Sequence, residues 1–325
     1  MNVKNNRCRK NLTLFLVILF LILLYSFYRH VNQNKLGNTQ HIIGIHKNFT
    51  QIDMGRILKI EKSLKRKYEF CVNKTNNSSN TINVAFVSVG KKVLSDTEKV
   101  ITSLLKFADS SINIHLISDK LNFETAKSVL RIYPDQNHEI SFYDFQAYVS
   151  LVDFIPSAHW SGPFSLMKLL IPDILPLMVE KIIVLDVDLD VKRSISGLWE
   201  HFKDFKDNQM LGMATEQTDW YVSGLRKWPA KGRGYNSGVI LLDLVKLRSM
   251  RWYWFWRAEL LRFLVTFKRL DLGDQDVLNV LAYKYPDLVF TIPYNWNKMS
   301  LYYRNEVVGT DVNILHFIKS QNYLD

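Results

Sequence analysis

One segment, Lys181 to Val191, constrains the fold more than any other part of the sequence. Four consecutive aliphatic residues, Ile182 to Leu185, are followed by Asp186, Asp188 and Asp190. An uninterrupted aliphatic run is typical of a strand covered on both faces of a parallel sheet. The sequence therefore predicts a buried strand with carboxylates at its end.

The spacing of these aspartates suggests a cation site. Alternate side chains of an extended chain point the same way, so three unpaired carboxylates on one face would repel one another. A divalent cation with oxygen ligands, Mg²⁺ or Mn²⁺, would offset that repulsion. Acidic residues at a strand end can also simply face solvent, and this interpretation stays open. Ligands gather at the carboxyl ends of strands in open α/β sheets, which favours a binding site.

The net charge of +11 is concentrated near the N-terminus. Residues 1–28 contain four basic residues and no acidic ones, and residues 29–70 contain nine basic residues against three acidic ones. The remaining 255 residues carry 29 basic and 28 acidic side chains, so the region with the aspartates is almost neutral. This distribution argues against a nucleic-acid-binding domain.

An uncharged apolar segment, residues 12–28, follows the N-terminal basic residues. It predicts a transmembrane signal anchor. A cleaved signal peptide is the alternative, but Arg29 and His30, which directly follow Tyr28, offer no small-residue cleavage site. The positive charge before the segment predicts a cytosolic tail at residues 1–11 and a lumenal remainder, as in a single-pass type II membrane protein. The short span suits an early secretory membrane.

Residues 29–80 form the predicted lumenal stem. Four glycosylation sequons lie in it, beginning at Asn48, Asn73, Asn76 and Asn77. Cys8 and Cys71 lie on opposite sides of the apolar segment, so we expect no disulfide between them. Cys71 is then either a free thiol or an intermolecular partner.

Predicted strands and helices alternate through a single domain at residues 81–325. The predicted strands are 82–89, 112–117, 140–145, 181–185, 210–214, 239–242, 290–293 and 313–317. The predicted helices are 96–106, 123–131, 163–177, 194–205, 251–267 and one that begins at Asp274. Such alternation predicts an α/β fold with a mostly parallel sheet.

Other polar residues in this region are candidates for the same site. Lys168 has apolar neighbours and either extends to solvent or faces an anionic ligand. Three glycines at 232–238 precede a predicted strand, where they serve either a tight turn or the close approach of a ligand. Asp274 precedes an apolar helix and could merely cap it. A lone histidine such as His316 is usually structural. Because the carboxylate cluster lacks a nitrogen ligand, however, His316 is also a candidate metal ligand.

Several motifs together carry a resemblance to a known family. They are Ser165 to Leu169, Ile183 to Asp188, Thr218 to Tyr221, Trp228 to Leu242, and Asp274 to Asp276. Together, over roughly residues 82–316, they resemble glycosyltransferase family 8. The resemblance is greatest to the first, xylosyltransferase domain of the LARGE xylosyl- and glucuronyltransferases, and weaker to the xyloside and glucoside xylosyltransferases.

This resemblance implies a nucleotide-sugar-binding domain of the GT-A, Rossmann-like type behind the membrane anchor. It implies a Golgi enzyme that uses Mn²⁺ and a UDP-sugar, with UDP-xylose as the expected donor. The sugar would pass with retention, in an α linkage, to a glycan acceptor of a glycoprotein. The metal ligands implied are Asp186, Asp188 and His316, with Asp190 beside them.

The resemblance also implies roles around the donor sugar. It assigns Asp274 and Gln275 to the catalytic position beside the sugar. It assigns donor binding to Lys168, Asn236, Gly238 and Lys319. Lys319 departs from the position of the family lysine that reaches the diphosphate.

Two alternatives stay open at this point. The same fold could use UDP-glucose or UDP-galactose, or the chain could be a catalytically silent, lectin-like glycan-binding protein. Since the sequence ends at Asp325, we expect no second, glucuronosyl-adding domain, and so the addition of one sugar rather than an alternating polymer.

Overall fold

The computed structural model describes residues 81–134, 138–223, 228–300 and 311–317. The predicted tail, anchor and stem, both cysteines, the sequons and Lys319 lie outside these residues. Within them, no helix has both the length and the apolarity needed to cross a bilayer.

Ten strands form two sheets in the described residues. They are β1 (Ile82–Ser88), β2 (Ile112–Ser118), β3 (Glu139–Asp144), β4 (Lys181–Leu185), β5 (Leu189–Val191), β6 (Leu211–Thr215), β7 (Tyr235–Asp243), β8 (Val289–Thr291), β9 (Lys298–Ser300) and β10 (Ile314–Phe317).

The α-helices lie mainly between these strands. They are α1 (Leu94–Lys106), α2 (Lys120–Leu130), α3 (Ile171–Ile174), α4 (Ser196–Glu200), α5 (Leu244–Ser249), α6 (Trp252–Phe267) and α7 (Asp274–Lys284). Short 3₁₀ helices are Lys91–Val93, Phe145–Ala147, Val149–Leu151, Ser165–Leu170, His201–Lys203, Pro286–Leu288 and Tyr294–Asn297.

The larger sheet has seven strands in the order β3-β2-β1-β4-β7-β6-β8. Strand β7 runs antiparallel to both β4 and β6, and the other neighbouring pairs are parallel. The predicted α/β fold with a mostly parallel sheet is therefore confirmed. The smaller sheet has the order β5-β10-β9. Strand β10 pairs with β5 in antiparallel orientation, which places His316 opposite Leu189.

The core lies on both faces of the larger sheet. Ile182 to Leu185 in β4 are fully buried, as their uninterrupted aliphatic pattern predicted. Along α6, Trp252, Trp256 and Leu260 share a buried face, which confirms that this aromatic segment packs into the core. Hydrophobic packing thus positions β4 and, with it, the start of the turn that follows.

The helix predicted at 163–177 differs in the structure. A 3₁₀ helix at Ser165–Leu170 gives way to the short α3, which contains Pro172 in its first turn. Leu175 is extended because it precedes Pro176, and a residue before proline is disfavoured in the helical region. The two prolines thus shorten the regular helix.

Strand β7 begins earlier than predicted, at Tyr235 rather than at residue 239. Its first residues pair with the end of β6, with Thr215 opposite Tyr235 and Ala214 opposite Asn236. A register shift between Met213 and Ala214 permits this pairing. Asn236 and Gly238 therefore lie in the strand rather than in a loop before it.

Candidate active site

Asp186, Asp188 and His316 meet where β4 ends. The chain turns between Leu185 and Leu189, and one potential ligand atom from each of the three residues lies within 4.8 Å of the others. Nε2 of His316 is 3.4 Å from Oδ1 of Asp188. The two aspartates are close in sequence, whereas the histidine arrives through the pairing of β10 with β5.

Asp190 is not part of this three-residue group. Its carboxylate pairs with Nζ of Lys192 at 2.7 Å. The three aspartates could share one face only if the chain stayed extended, and that condition is not met because the chain turns at residues 187–188. The alternation of strand side chains does not extend across a turn.

The three residues fit a divalent transition metal such as Mn²⁺. Two carboxylates and one imidazole combine oxygen donors with nitrogen, which suits Mn²⁺ better than Ca²⁺. Gly238 leaves room for the imidazole: a Cβ atom at this position would lie 2.3 Å from Cε1 of His316. Nδ1 of His316 lies 3.0 Å from Oδ1 of Asn297, so Nε2 is the nitrogen on the aspartate side.

Lys168 lies behind this group as an internal counter-ion. Its ammonium is buried, 2.6 Å from Oδ1 of Asp186 and 3.2 Å from Oδ2 of Asp274, and it donates to the carbonyl of Ser237. The contact with Asp274 is an ion pair without the alignment of a hydrogen bond. Lys168 therefore does not extend to solvent; it lines the cleft while paired with two carboxylates.

The charges in the site shift the pKa values of its members. Burial raises the pKa of Asp186 to about 6, although the Lys168 ammonium opposes the shift. Burial also acts to raise the pKa of Asp188, but the neighbouring His316 outweighs it and the pKa of Asp188 is lowered. Burial acts to lower the pKa of His316, but Asp188 and Asp186 raise it overall. A bound cation would displace a proton from His316, since only the neutral ring is a ligand.

A buried glutamate, Glu216, organises the other side of the site. One of its oxygens accepts hydrogen bonds from the side-chain amides of Asn236 and Gln275, both at 3.1 Å. Oε1 of Gln275 accepts from the backbone N–H of Ser237, also at 3.1 Å. The orientation of the Gln275 amide is therefore fixed from both ends.

Sequence reasoning missed Glu216. It follows the apolar strand β6 directly, just as Asp186 follows β4, and this pattern could have identified it. Asn297 was also missed, and nothing in its surrounding sequence distinguishes it from other polar residues.

Asp274 and Gln275 occupy the first turn of α7 and are both buried. Gly273, before them, has a φ of +60°, and a Cβ atom there would lie 2.3 Å from Oγ of Ser165. Asp276 has a different role: its Oδ2 accepts from the backbone N–H groups of Asp271 and Leu272. The side chain of Asp276 thus holds the entry to the helix, while Asp274 and Gln275 line the cleft.

These side chains lie in a cleft of about 840 Å³. Its walls include Val87 near the end of β1, the chain that follows β1 from Val89 to Val93, and the aromatic residues Trp160 and Trp220. A volume of this size lies within the usual range of small-molecule sites, which is roughly 300–1,000 Å³. The cleft can therefore accommodate a ligand of nucleotide-sugar size.

The structure thus brings together all but one of the residues that the sequence nominated. They are Asp186, Asp188, His316, Lys168, Asn236, Gly238, Asp274 and Gln275. The exception, Lys319, lies outside the described residues.

Two solved structures share the fold. Mouse xyloside xylosyltransferase 1, in its apo form, superposes with a TM-score of 0.61 at 21% identity, over 73% of this chain and 97% of that one. The galactosyltransferase LgtC, in complex with donor and acceptor sugar analogs, superposes with a TM-score of 0.59 at 17% identity, over 74% of this chain and 88% of that one. These similarities support the GT-A-like arrangement of the α/β domain.

Sequence comparison finds more similar relatives. The xylosyl- and glucuronyltransferase LARGE1 of Gallus gallus is 38% identical over 243 residues, which are 73% of this chain and 32% of the relative. LARGE1 of Homo sapiens is 37% identical over the same shares. The matched part of this chain thus spans about a third of the length of these relatives.

The profile of Glycosyl transferase family 8 matches residues 41–321, most of the chain. Together with the LARGE similarity and the shared fold, this match shows that the chain belongs to glycosyl transferase family 8.

Proposed function

We propose that the protein is a metal-dependent, retaining glycosyltransferase that transfers xylose from UDP-xylose, in an α linkage, to a glycan acceptor of a glycoprotein. The observation that carries the proposal is the cluster of Asp186, Asp188 and His316, with Lys168 behind it, in a cleft of about 840 Å³. Family membership supports the reaction class.

In the proposed reaction, the bond between the anomeric carbon and the diphosphate oxygen breaks, and UDP leaves with the bonding electron pair. An acceptor hydroxyl oxygen forms the new bond to the anomeric carbon, and its proton passes to the leaving diphosphate. Asp186, Asp188 and His316 would hold Mn²⁺, which would neutralise the charge that develops on the leaving diphosphate. The described residues prepare the rest of the site. Lys168 balances the negative charge of Asp186 and Asp274, because its ammonium contacts both carboxylates.

Asp274 and Gln275 are proposed to orient the donor sugar rather than to attack it. Glu216 and the N–H of Ser237 fix the Gln275 amide, so this group can present a constant face to the sugar. Buried, preorganised polar groups of this kind position a reactant without reorganising during the reaction.

Xylose is the proposed sugar because the motifs resemble the first, xylosyltransferase domain of the LARGE proteins. The name of the LARGE relatives includes both xylosyl and glucuronyl transfer. The fold does not distinguish UDP-xylose from UDP-galactose, because a xylosyltransferase and a galactosyltransferase superpose almost equally well on this chain.

We also propose a Golgi location with a type II orientation, in which residues 1–11 are cytosolic, 12–28 span the membrane, 29–80 form the stem and 81–325 the catalytic domain. The apolar segment, the preceding basic residues and the sequons support this arrangement. Enzymatic deglycosylation tests it: a mobility shift that disappears when residues 12–28 are deleted supports lumenal exposure, and an unglycosylated full chain contradicts it.

The donor is tested by measuring hydrolysis and transfer with UDP-xylose, UDP-glucose, UDP-galactose and UDP-glucuronic acid. Each is assayed with Mn²⁺ and again after EDTA treatment. We expect turnover with UDP-xylose that EDTA removes and Mn²⁺ restores.

The other outcomes each reject part of the proposal. Preference for another UDP-sugar would replace the donor while keeping the reaction, and turnover resistant to EDTA would remove the metal. No turnover with any donor, together with binding to glycans, would favour the catalytically silent alternative.

A further inference from the structure

We infer that Asn297 is a positioning residue that holds the imidazole of His316 in the tautomer protonated on Nδ1, so that the lone pair of Nε2 faces Asp186 and Asp188. This inference rests on the proposed function in one respect, namely that His316 serves as a metal ligand. Its structural part, the tautomer, can be measured without metal or substrate.

The backbone N–H of Gly238 can only donate a hydrogen bond. It lies 2.9 Å from the side chain of Asn236, so the accepting atom there must be Oδ1. The same Oδ1 lies 2.8 Å from the Asn297 amide, and the atom of Asn297 that faces it must therefore be the donor Nδ2. The orientation of the Asn297 side chain follows from these two contacts.

The remaining atom of the Asn297 amide determines the state of His316. Oδ1 of Asn297 faces Nδ1 of His316 at 3.0 Å and can only accept, so Nδ1 must carry the hydrogen. In a neutral imidazole the other nitrogen then has the lone pair. That nitrogen, Nε2, is 3.4 Å from Oδ1 of Asp188.

Glu216, at the other end of these hydrogen bonds, supports the same orientation of the two asparagine amides. Nδ2 of Asn236 donates to a carboxylate oxygen of Glu216 at 3.1 Å, which independently orients the Asn236 amide. Glu216, Asn236, Asn297 and His316 are all buried. An inverted amide would face oxygen to oxygen at a buried site, which is costly.

These hydrogen bonds also connect the candidate metal site with the residues proposed to orient the sugar. Glu216 accepts from Gln275 as well as from Asn236, so the histidine and the proposed sugar-orienting amide depend on the same carboxylate. Hydrogen-bond partners of a ligating histidine fix its ring orientation, and their loss typically weakens metal binding by about 10- to 100-fold.

Two substitutions at Asn297 separate positioning from a merely structural role. Asn297→Ala removes the acceptor from Nδ1 of His316. Asn297→Asp keeps an acceptor there, but it replaces the donor to Asn236 with an oxygen and adds a negative charge. The matched control is Asn295→Ala, two residues away, because the side chain of Asn295 donates to the carbonyl of Asp311 and its Oδ1 accepts no hydrogen bond among the described residues.

The first measurement is the binding of Mn²⁺ alone to the full-length protein, by titration calorimetry without any UDP-sugar. We expect Asn297→Ala to weaken binding by about 10- to 100-fold. Asn297→Asp should retain most of the affinity, and Asn295→Ala should match the wild type. Equal binding by wild type and Asn297→Ala, or equal losses in both Asn297 variants, would overturn the inference.

The second measurement is the ¹⁵N spectrum of the His316 ring in the metal-free protein at alkaline pH, assigned with His316→Ala. We expect the Nδ1–H tautomer in the wild type and in Asn297→Asp, and its loss in Asn297→Ala. An Nε2–H tautomer in the wild type would refute the inference even if the variants failed to fold. An inactive enzyme that shows the expected tautomer and Mn²⁺ binding would reject the proposed function and leave the role of Asn297 intact.

Discussion

At the residue scale, two aspartates of the same segment have opposite surroundings. Asp188 faces His316 within the candidate metal site, whereas Asp190 pairs with the partly exposed Lys192. Two lysines show the same contrast, since Lys168 is buried between two carboxylates and Lys192 is not. Identical side chains therefore serve as matched controls for one another.

The substitution Asp188→Asn should abolish metal-dependent turnover while leaving the fold intact. A metal contributes several kcal/mol to stabilising a developing charge, which corresponds to a loss of at least about 100-fold in rate. Hydrolysis of UDP-xylose with Mn²⁺ measures the loss, and circular dichroism checks the fold. Asp190→Asn should stay close to wild type; activity retained by Asp188→Asn would remove this aspartate from the mechanism.

The substitution Lys168→Met should destabilise the metal-free protein. It leaves Asp186 and Asp274 buried without their counter-ion, and breaking a buried pair in this way typically costs about 3–5 kcal/mol. Lys192→Met should cost less than about 1 kcal/mol because its pair is partly exposed. Urea unfolding measures both, and equal losses in the two variants would contradict the prediction.

At the scale of the elements, the site depends on a close contact between two sheets. Strand β7 of the larger sheet carries Gly238, and strand β10 of the smaller sheet carries His316. The absence of a side chain at Gly238 permits the imidazole to lie against β7. The position of the histidine is thus a property of two strands.

The substitution Gly238→Ala should destabilise the protein by about 1–3 kcal/mol, since a Cβ atom would lie 2.3 Å from Cε1 of His316. It should also weaken Mn²⁺ binding by displacing the ring. In a His316→Ala background the same substitution should cost much less, because the clashing ring is gone. Urea unfolding of the four proteins gives this comparison, and an equal cost in both backgrounds would rule out the contact as the cause.

Strand β2 carries a second buried histidine, His115, which affects the pH dependence of stability. Burial lowers the pKa of His115 from 6.5 to about 4, and the ring contacts Tyr143 and Asn83. Between these two pH values the unfolded chain binds a proton that the folded chain does not. Stability due to His115 is therefore complete above pH 6.5 and is lost as the pH falls towards 4.

This loss should amount to about 3 kcal/mol at pH 4, from a shift of about 2.5 pH units. The substitution His115→Phe should flatten the dependence of the unfolding free energy on pH across that window. Urea unfolding at several pH values measures the slope. An unchanged slope would mean that other groups cause the acid sensitivity.

At the scale of the whole molecule, charge and fold divide the chain in different ways. The first 70 residues carry nearly all of the excess positive charge, whereas the described fold begins after residue 80. The family profile begins at residue 41, inside the predicted stem. The extent of the catalytic domain is therefore best tested by truncation.

We expect residues 81–325 to fold without the preceding chain, because the described strands and helices form two connected sheets with a buried core. Chains beginning at residues 29 and 81 should unfold cooperatively at the same temperature and hydrolyse UDP-xylose at similar rates. Differential scanning calorimetry measures the first property. Loss of cooperative unfolding in the shorter chain would move the domain boundary upstream, towards residue 41.

The sequence by itself determined the local features of this protein. The aliphatic run before Asp186 predicted a buried strand, the alternation of patterns predicted an α/β fold, and the motifs pointed to the family. Local periodicity and turn-forming residues carry this information because they act over a few positions. The same locality explains the departures at Pro172 and Asp190, where a proline and a turn interrupted the expected pattern.

Only the tertiary structure decided which distant residues meet. The pairing of β10 with β5 brings His316 to the aspartates, and the fold places Glu216 and Asn297 in contact with Asn236. It also buries Lys168 between two carboxylates. These contacts depend on strand order and register across long stretches of chain, which no local pattern specifies.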